Sequence, residues 1–226
     1  MTAPRWAGEG TALFLQAVDR LTDVDLDRPS RLPGWSRRHV LAHVASNATA
    51  LGRLVSWART GVQTPMYASA GERAEEIEHG ATQSPALLRA NVRTTADELA
   101  AAFSSLPKAA WLHQVATAQG RTVPATELSW LRAREVNVHA VDLDAGVGFD
   151  DLPDGFCAAL VEEIARLRST RGDGPALRLT VPENSALWTV EGSGKPLPVE
   201  RPLNRLAGWL AGRETEPNLP TLPAWL

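Results

Sequence analysis

The chain has 226 residues, 44% of them hydrophobic and 22% charged, with a formal net charge of −3, which is ordinary for a globular protein. No basic patch predicts nucleic-acid binding, no apolar run reaches the ~20 residues that cross a bilayer, and residues 1–10 lack the apolar segment of a signal peptide. The single cysteine, Cys157, excludes an internal disulfide, and we expect a cytoplasmic protein.

Periodic apolar residues predict four helices in the first two-thirds of the chain, over residues 9–21, 36–60, 84–107 and 124–146. Ser36 and Ser84 are good N-caps, and Pro85 suits a first helical position. These lengths are typical of a four-helix bundle. The long connection over 61–83 includes a charged segment, Glu72–Glu78, that predicts a short helix capped by Ser69, and long connections are often functional. Residues 116–124 predict a turn-rich loop.

The pattern changes after Gly148. A helix is predicted over 155–169, strands over 176–181 and 187–191 with a turn at 182–185 between them, a loop over 192–202 and a helix over 203–212. The proline-containing tail, 217–226, predicts no regular structure. The fold class is therefore mainly α, with a helical bundle over residues 1–148 followed by a small α+β domain over 149–226.

A carboxylate and an imidazole lie four residues apart in the fourth helix, at Glu135 and His139. Residues at this spacing share one helix face, with roughly 5–6 Å between their Cβ atoms, so the pair can bind one divalent cation. Facing helices of a bundle can supply a further ligand, and three ligands with an open position are typical of catalytic zinc. The alternative interpretation is a surface ion pair beside a histidine with other partners.

The second helix offers two histidines as the third ligand, His39 and His43. His43 has apolar neighbours on both sides, whereas His39 follows Arg37 and Arg38 near the polar start of the helix, so we favour His43. Asn47, one helical turn further on, is placed to support a ligand or to reach a substrate.

Other residue types leave alternatives open. The eight tryptophans are large core residues, or one or two of them line a pocket. Cys157 has apolar neighbours and is predicted to be a packed residue rather than a nucleophile. Arginines bind carboxylates bidentately, so an anionic substrate needs at least one of those near the predicted site, although each is otherwise a surface residue. They are Arg73, Arg121, Arg132, Arg134, Arg205 and Arg213.

Several blocks of the chain resemble the mycothiol-dependent maleylpyruvate isomerases, which have a DinB-like four-helix bundle and a small C-terminal domain. The blocks cover most of the bundle, and the C-terminal match is thinner. They are Leu32–Ser36 (LPGWS), His39–Ala45 (HVLAHVA), Thr64–Tyr67 (TPMY), Ala118–Pro124 (AQGRTVP), Arg134–Leu143 (REVNVHAVDL) and Pro223–Leu226 (PAWL).

The resemblance implies a zinc ion held by His43, Glu135 and His139. It also implies that Arg73 and Arg213 act on the substrate, with Arg205 as the competitor of Arg213, and that Arg213 reaches the active site from the C-terminal domain. We further predict that Asn47 and Arg121 contact the thiol cofactor.

The activity implied is cis–trans isomerisation of maleylpyruvate to fumarylpyruvate in gentisate degradation. A zinc-bound thiolate of mycothiol adds to the double bond in a conjugate fashion, the resulting single bond rotates, and the thiol leaves. The partners are then mycothiol and a small dicarboxylate, with the oligomeric state open.

Two other classes of function remain compatible with the sequence. A mycothiol S-transferase would use the same metal and thiol on another electrophile and would leave an adduct. A non-catalytic protein would use the metal structurally or serve as an interaction module, but structural zinc sites normally have four protein ligands, and only three are evident here.

Overall fold

A computed structural model describes residues 3–182 and 186–225. The chain divides into two compact units, Met1–Gly146 and Val147–Leu226. Among the described helices, none combines the length and the apolar composition needed to cross a membrane. The structure is mainly α, as the sequence predicts, with helices throughout the first unit and an α+β arrangement in the second.

The helices of the first unit span Ala3–Asp19 (α1), Asp23–Leu26 (α2), Arg37–Thr60 (α3), Ala70–Ala81 (α4), Pro85–Ser104 (α5) and Leu128–Asp142 (α6). Four of them are long, namely α1, α3, α5 and α6. Helix α1 packs against α6 and α5, and α3 packs against α5, α6 and the shorter α4. Helix α3 contributes much of the core, with Leu41, Leu51 and Leu54 fully enclosed.

The predicted helix starts are confirmed where a capping side chain marks them. The Ser69 hydroxyl accepts the backbone N–H of Glu72 at the start of α4, and the Ser84 hydroxyl accepts that of Leu87 at the start of α5. Such bonds satisfy N–H groups that have no partner within the helix.

Two helix starts and one loop in the first unit differ from the prediction. Helix α1 begins at Ala3 rather than near residue 9, and α6 begins at Leu128, after a 3-10 turn over Ala125–Glu127. The loop predicted over 116–124 contains part of a hairpin, in which β1 (Gln114–Ala116) pairs antiparallel with β2 (Thr122–Pro124). Strands of three residues are too short to produce a recognisable alternation, which is why the sequence indicated only a turn.

The second unit contains two α-helices and a three-stranded sheet. Strand β3 (Pro175–Thr180) is central, antiparallel to β4 (Leu187–Val190) and parallel to β5 (Ser193–Glu200). Helix α7 (Asp154–Arg171) packs against β4 and against α8 (Leu203–Leu210). Of the turn predicted over 182–185, residues 183–185 lie outside the described part of the chain.

Strand β5 corrects the prediction of a loop over 192–202. Pro196 and Pro198 have no backbone N–H and argue against a strand, but β5 lies at an edge of the sheet and bonds only to β3. An edge strand tolerates proline because one side of its backbone needs no partner.

Candidate metal centre

Two packed helices bring three potential ligands together. His43 projects from α3, and Glu135 and His139 project from α6, four residues apart on one face. One ligand atom from each residue lies within 4.8 Å of the others, and this is the one such group found among the described residues. The structure therefore assembles the three side chains that the sequence nominated for a metal.

The three side chains converge on a single carboxylate oxygen. Glu135 Oε2 lies 2.9 Å from His43 Nε2 and 3.3 Å from His139 Nε2. The two imidazole rings meet nearly at a right angle, with 4.8 Å between their centroids. Both Nε2 atoms thus face the carboxylate, as they would if all three groups bound one ion.

The electrostatics of the triad favour an anionic carboxylate. Burial alone would raise the pKa of Glu135, but hydrogen bonds with His139 and His43 hold that pKa well below its usual value. Burial lowers the pKa of His43 despite its bond to Glu135. Burial also acts to lower the pKa of His139, but bonds with Asp142 and Glu135 raise it overall. A buried anion beside two imidazoles is a suitable environment for a divalent cation.

Asp142 orients the His139 ring through Nδ1, the ring nitrogen that does not face Glu135. Its side chain is completely buried, and its Oδ2 lies 2.9 Å from His139 Nδ1. A carboxylate that accepts the Nδ1 proton leaves the Nε2 lone pair for a metal, as in many histidine ligands. The sequence analysis assigned Asp142 no role. Its position three residues after His139, on the same helix face, was the signal that could have identified it as a partner of the imidazole.

Two groups approach the other histidine. Arg73 on α4 brings Nη2 to 3.4 Å from His43 Nδ1, so a cation lies beside the triad where the sequence predicted a substrate arginine. The Trp35 ring centroid lies 5.5 Å from that of His43. Trp35 follows a turn in which Gly34 has a φ of 77°, a conformation that favours glycine. The open alternative, that one or two tryptophans line a pocket, fits Trp209 and Trp225, which line a cavity of the second unit.

His39 has a different role from His43. Its Nδ1 accepts the backbone N–H of Ser36 at 3.2 Å and contacts the Ser36 hydroxyl at 2.7 Å. These bonds close the first turn of α3, and His39 is not part of the ligand group.

Asn47 lies on α3 one turn beyond His43 and is buried. Its Oδ1 accepts Arg132 Nη1 at 3.0 Å, and the same nitrogen donates to the Val44 carbonyl at 2.9 Å. Arg132 is enclosed, and burial lowers its pKa to about 10 while the charge of Glu135 acts in the opposite direction. These contacts join α3 to α6 directly behind the triad.

The remaining predicted arginines have partners within their own units, and Arg134 Nη2 lies 3.8 Å from Glu135 Oε1. Arg121, next to β2 in the hairpin, pairs with Glu127 at 2.9 Å. In the second unit, Arg213 donates to the Ala211 carbonyl at 2.8 Å and lines a cavity of about 300 Å³. Its competitor Arg205 contacts Glu214 at 3.4 Å and Glu216 at 2.7 Å.

The residues present fit a zinc ion. Two imidazole nitrogens and one carboxylate oxygen form a common catalytic donor set, and three protein ligands leave a coordination position for an exogenous group. A fourth protein ligand, as a closed structural site would require, is not part of the group found in the described chain.

Comparisons with known proteins identify the family of the chain. The sequence model of the mycothiol maleylpyruvate isomerase N-terminal domain matches residues 7–144. No curated protein matches the chain at a significant level.

Two solved structures cover 99% of this chain and 95% of their own. The crystal structure of the mycothiol-dependent maleylpyruvate isomerase is 36% identical with a TM-score of 0.95, and that of its histidine-to-alanine mutant is 35% identical with a TM-score of 0.94. The family match spans more than half of the chain, and the structural match spans nearly all of it, so this chain belongs to the mycothiol-dependent maleylpyruvate isomerase family.

Proposed function

We propose that this protein is a cytoplasmic enzyme that isomerises maleylpyruvate to fumarylpyruvate with mycothiol as its thiol cofactor and a zinc ion held by His43, Glu135 and His139. The observation that carries the proposal is the convergence of these three ligand atoms within 4.8 Å, in a chain that superposes on the mycothiol-dependent isomerase with a TM-score of 0.95.

The chemistry of the reaction defines what the site must supply. A cis double bond rotates only after it loses its double-bond character, which the reversible addition of a thiol accomplishes. A zinc ion bound here would keep a coordinated thiol deprotonated at neutral pH. Addition leaves negative charge on the conjugated ketone oxygen, so the protein must place hydrogen-bond donors or cations around that oxygen.

Arg73 is suited to the substrate side of this reaction. When His43 binds a metal through Nε2, its Nδ1 carries the proton and can no longer accept a hydrogen bond from Arg73. The guanidinium, 3.4 Å from Nδ1 in this structure, is then available to a substrate carboxylate or to the developing enolate.

Arg213 is the second arginine in the proposal. It lines a cavity of the second unit. Its competitor Arg205 contacts Glu214 and Glu216. We retain Arg121 as a candidate contact for mycothiol. Asn47 contributes by holding Arg132 behind the ligands, and its contact with the cofactor stays a prediction.

A spectrophotometric assay tests the function. Zinc-loaded protein is mixed with maleylpyruvate, with and without mycothiol, and the conversion to fumarylpyruvate is followed. We expect turnover only with the thiol and no accumulated thiol adduct. Stoichiometric adduct without fumarylpyruvate would replace the isomerase by an S-transferase, and the absence of any reaction in protein that contains zinc would reject both.

A pair of histidine variants tests the ligand assignment. His43→Ala should lose both zinc and turnover, because it removes one of three ligands. His39→Ala removes the histidine one helical turn before His43, whose described contacts are with Ser36, Glu78 and Trp35, and it should retain zinc. Zinc content measured by atomic absorption decides between them, and zinc retained in His43→Ala would overturn the assignment.

A further inference from the structure

A carboxylate on α4, that of Glu76, lies close in sequence to the arginine proposed to act on the substrate. Glu76 follows Arg73 by three residues, so the two side chains share one helix face. No other acidic residue lies three or four positions from Arg73 in the sequence. Opposite charges at this spacing commonly form an ion pair along a helix. In α4, such a pair would compete with the substrate for the guanidinium.

Arg73 and Glu76 nevertheless have other partners in the structure. Helix α3 engages both oxygens of Glu76: Oε2 accepts the Ser46 hydroxyl at 2.6 Å, and Oε1 lies 3.5 Å from Arg53 Nη2. Arg73 Nη2 lies 3.4 Å from His43 Nδ1, and no carboxylate of the described residues pairs with it. The guanidinium of Arg73 therefore stays at the metal centre, although an acid lies one turn away on its own helix.

Arg53 is held beside Glu76 by a second bond. Its Nη1 donates to the Met66 carbonyl at 2.5 Å. Met66 is buried in a hydrophobic cluster of the first unit, so this carbonyl is a fixed acceptor. The side chains of Arg53 and Glu76 are 34% and 29% exposed, so water screens their attraction only in part. The ion pair between α3 and α4 is thus set by packed neighbours.

The positive charge of Arg53 affects Arg73 through Glu76. It offsets the negative charge of the carboxylate and so weakens the attraction of Glu76 for Arg73. Without Arg53, the partner left to Glu76 among these groups is the neutral hydroxyl of Ser46. A hydrogen bond from a neutral donor is roughly half as strong as one from a cation, so the carboxylate would then attract the cation three residues away.

We propose that Arg53 is a positioning residue of the substrate site: by engaging Glu76, it keeps this carboxylate from pairing with Arg73, and the guanidinium of Arg73 stays available to the substrate. The inference rests on the proposed isomerase function, in which Arg73 binds a substrate carboxylate or the enolate. Arg53 itself contacts neither the ligand group nor the substrate and acts through the charge of Glu76.

Removal of the Arg53 charge tests the proposal. Arg53→Met should lower kcat/KM for maleylpyruvate about fivefold, the largest effect that an ion pair between partly exposed side chains usually produces. Arg59→Met is the matched control on the same helix. Arg59 bonds with the Ala102 carbonyl and the Ser105 hydroxyl and not with α4, so this variant should keep its kcat/KM. A kcat/KM of Arg53→Met within twofold of that of the unmodified enzyme would overturn the proposal.

A double variant gives a readout that a purely structural role of Arg53 would not produce. In Arg53→Met/Glu76→Gln, the amide oxygen can still accept the Ser46 hydroxyl, but no charge remains to attract Arg73. We therefore expect kcat/KM to return to within twofold of the unmodified value. If Arg53 only anchored the Met66 carbonyl, the second substitution would restore nothing. A double variant as slow as Arg53→Met, or slower, would contradict the proposal.

An Arg73→Met background tests whether the effect passes through Arg73. Arg53→Met should cause no further decrease of kcat/KM in that background, and a fivefold decrease there would refute the proposed route.

The outcomes also separate this proposal from the function on which it rests. Turnover by the unmodified enzyme that Arg53→Met leaves unchanged rejects the role of Arg53 alone. No turnover by unmodified, zinc-loaded protein in the presence of mycothiol rejects the isomerase function and the role of Arg53 together.

Discussion

Asp142→Asn tests whether the buried carboxylate behind His139 contributes to metal binding. Asp142 is 0% exposed, and its Oδ2 lies 2.9 Å from His139 Nδ1, so the bond is shielded from water. The asparagine keeps the shape of the side chain but removes the charge that orients the imidazole and increases its basicity. Loss of such a partner typically weakens metal binding 10–100-fold, or about 1.4–2.8 kcal/mol at 1.4 kcal/mol per factor of ten.

The affinity is measured by competition with a chromogenic zinc chelator at a fixed pH. Asp144→Asn is the matched control: its side chain is 55% exposed, it pairs with Arg31, and its φ of 52° suits asparagine. This control should bind zinc as the unmodified protein does. An Asp142→Asn protein with an unchanged circular dichroism spectrum and a zinc affinity within twofold of the unmodified protein would refute the reasoning.

Three further perturbations probe the surroundings of the site. Asn47→Ala should lower the free energy of unfolding by about 1–3 kcal/mol, because the buried guanidinium of Arg132 loses an acceptor; an unchanged urea denaturation curve would argue against this. Zinc affinity should decrease as the pH falls, starting above 6.5, because the pKa of His139 is raised above that value and a protonated imidazole cannot bind metal. Zinc titrations at several pH values measure this, and an affinity that does not change with pH would contradict it. Cys157→Ala should keep its turnover, because burial raises the pKa of the thiol to about 12 and leaves no thiolate at neutral pH. An inactive variant that still folds and binds zinc would show that the thiol takes part in the reaction.

The helical part of the fold was predictable because its signals are local. Each long helix of the first unit has an apolar period that repeats over several turns, and α4 and α5 also begin at a serine whose side chain caps the first turn. Local signals failed where an element is defined by its partner. Strand β5 contains two prolines and is recognisable only by its pairing with β3, and the three-residue strands of the hairpin exist only as a pair.

The sequence by itself determined which chemistry was available. Four-residue spacing placed Glu135 and His139 on one face, and the polar start of the second helix favoured His43 over His39. The spacing of residues along one helix is fixed by the covalent chain, so it can be used without knowledge of the fold. The bonds of His39 to Ser36 at the start of α3 were not predicted from the sequence and are known from the structure.

Only the tertiary structure decided how groups from different elements meet. His43 lies 92 residues from Glu135, and their 2.9 Å contact depends on the packing of α3 against α6. The approach of Arg73 to His43 depends likewise on how α4 packs on α3. Such contacts are set by the close packing of a whole core, to which every element contributes, and no local pattern in the chain encodes that packing.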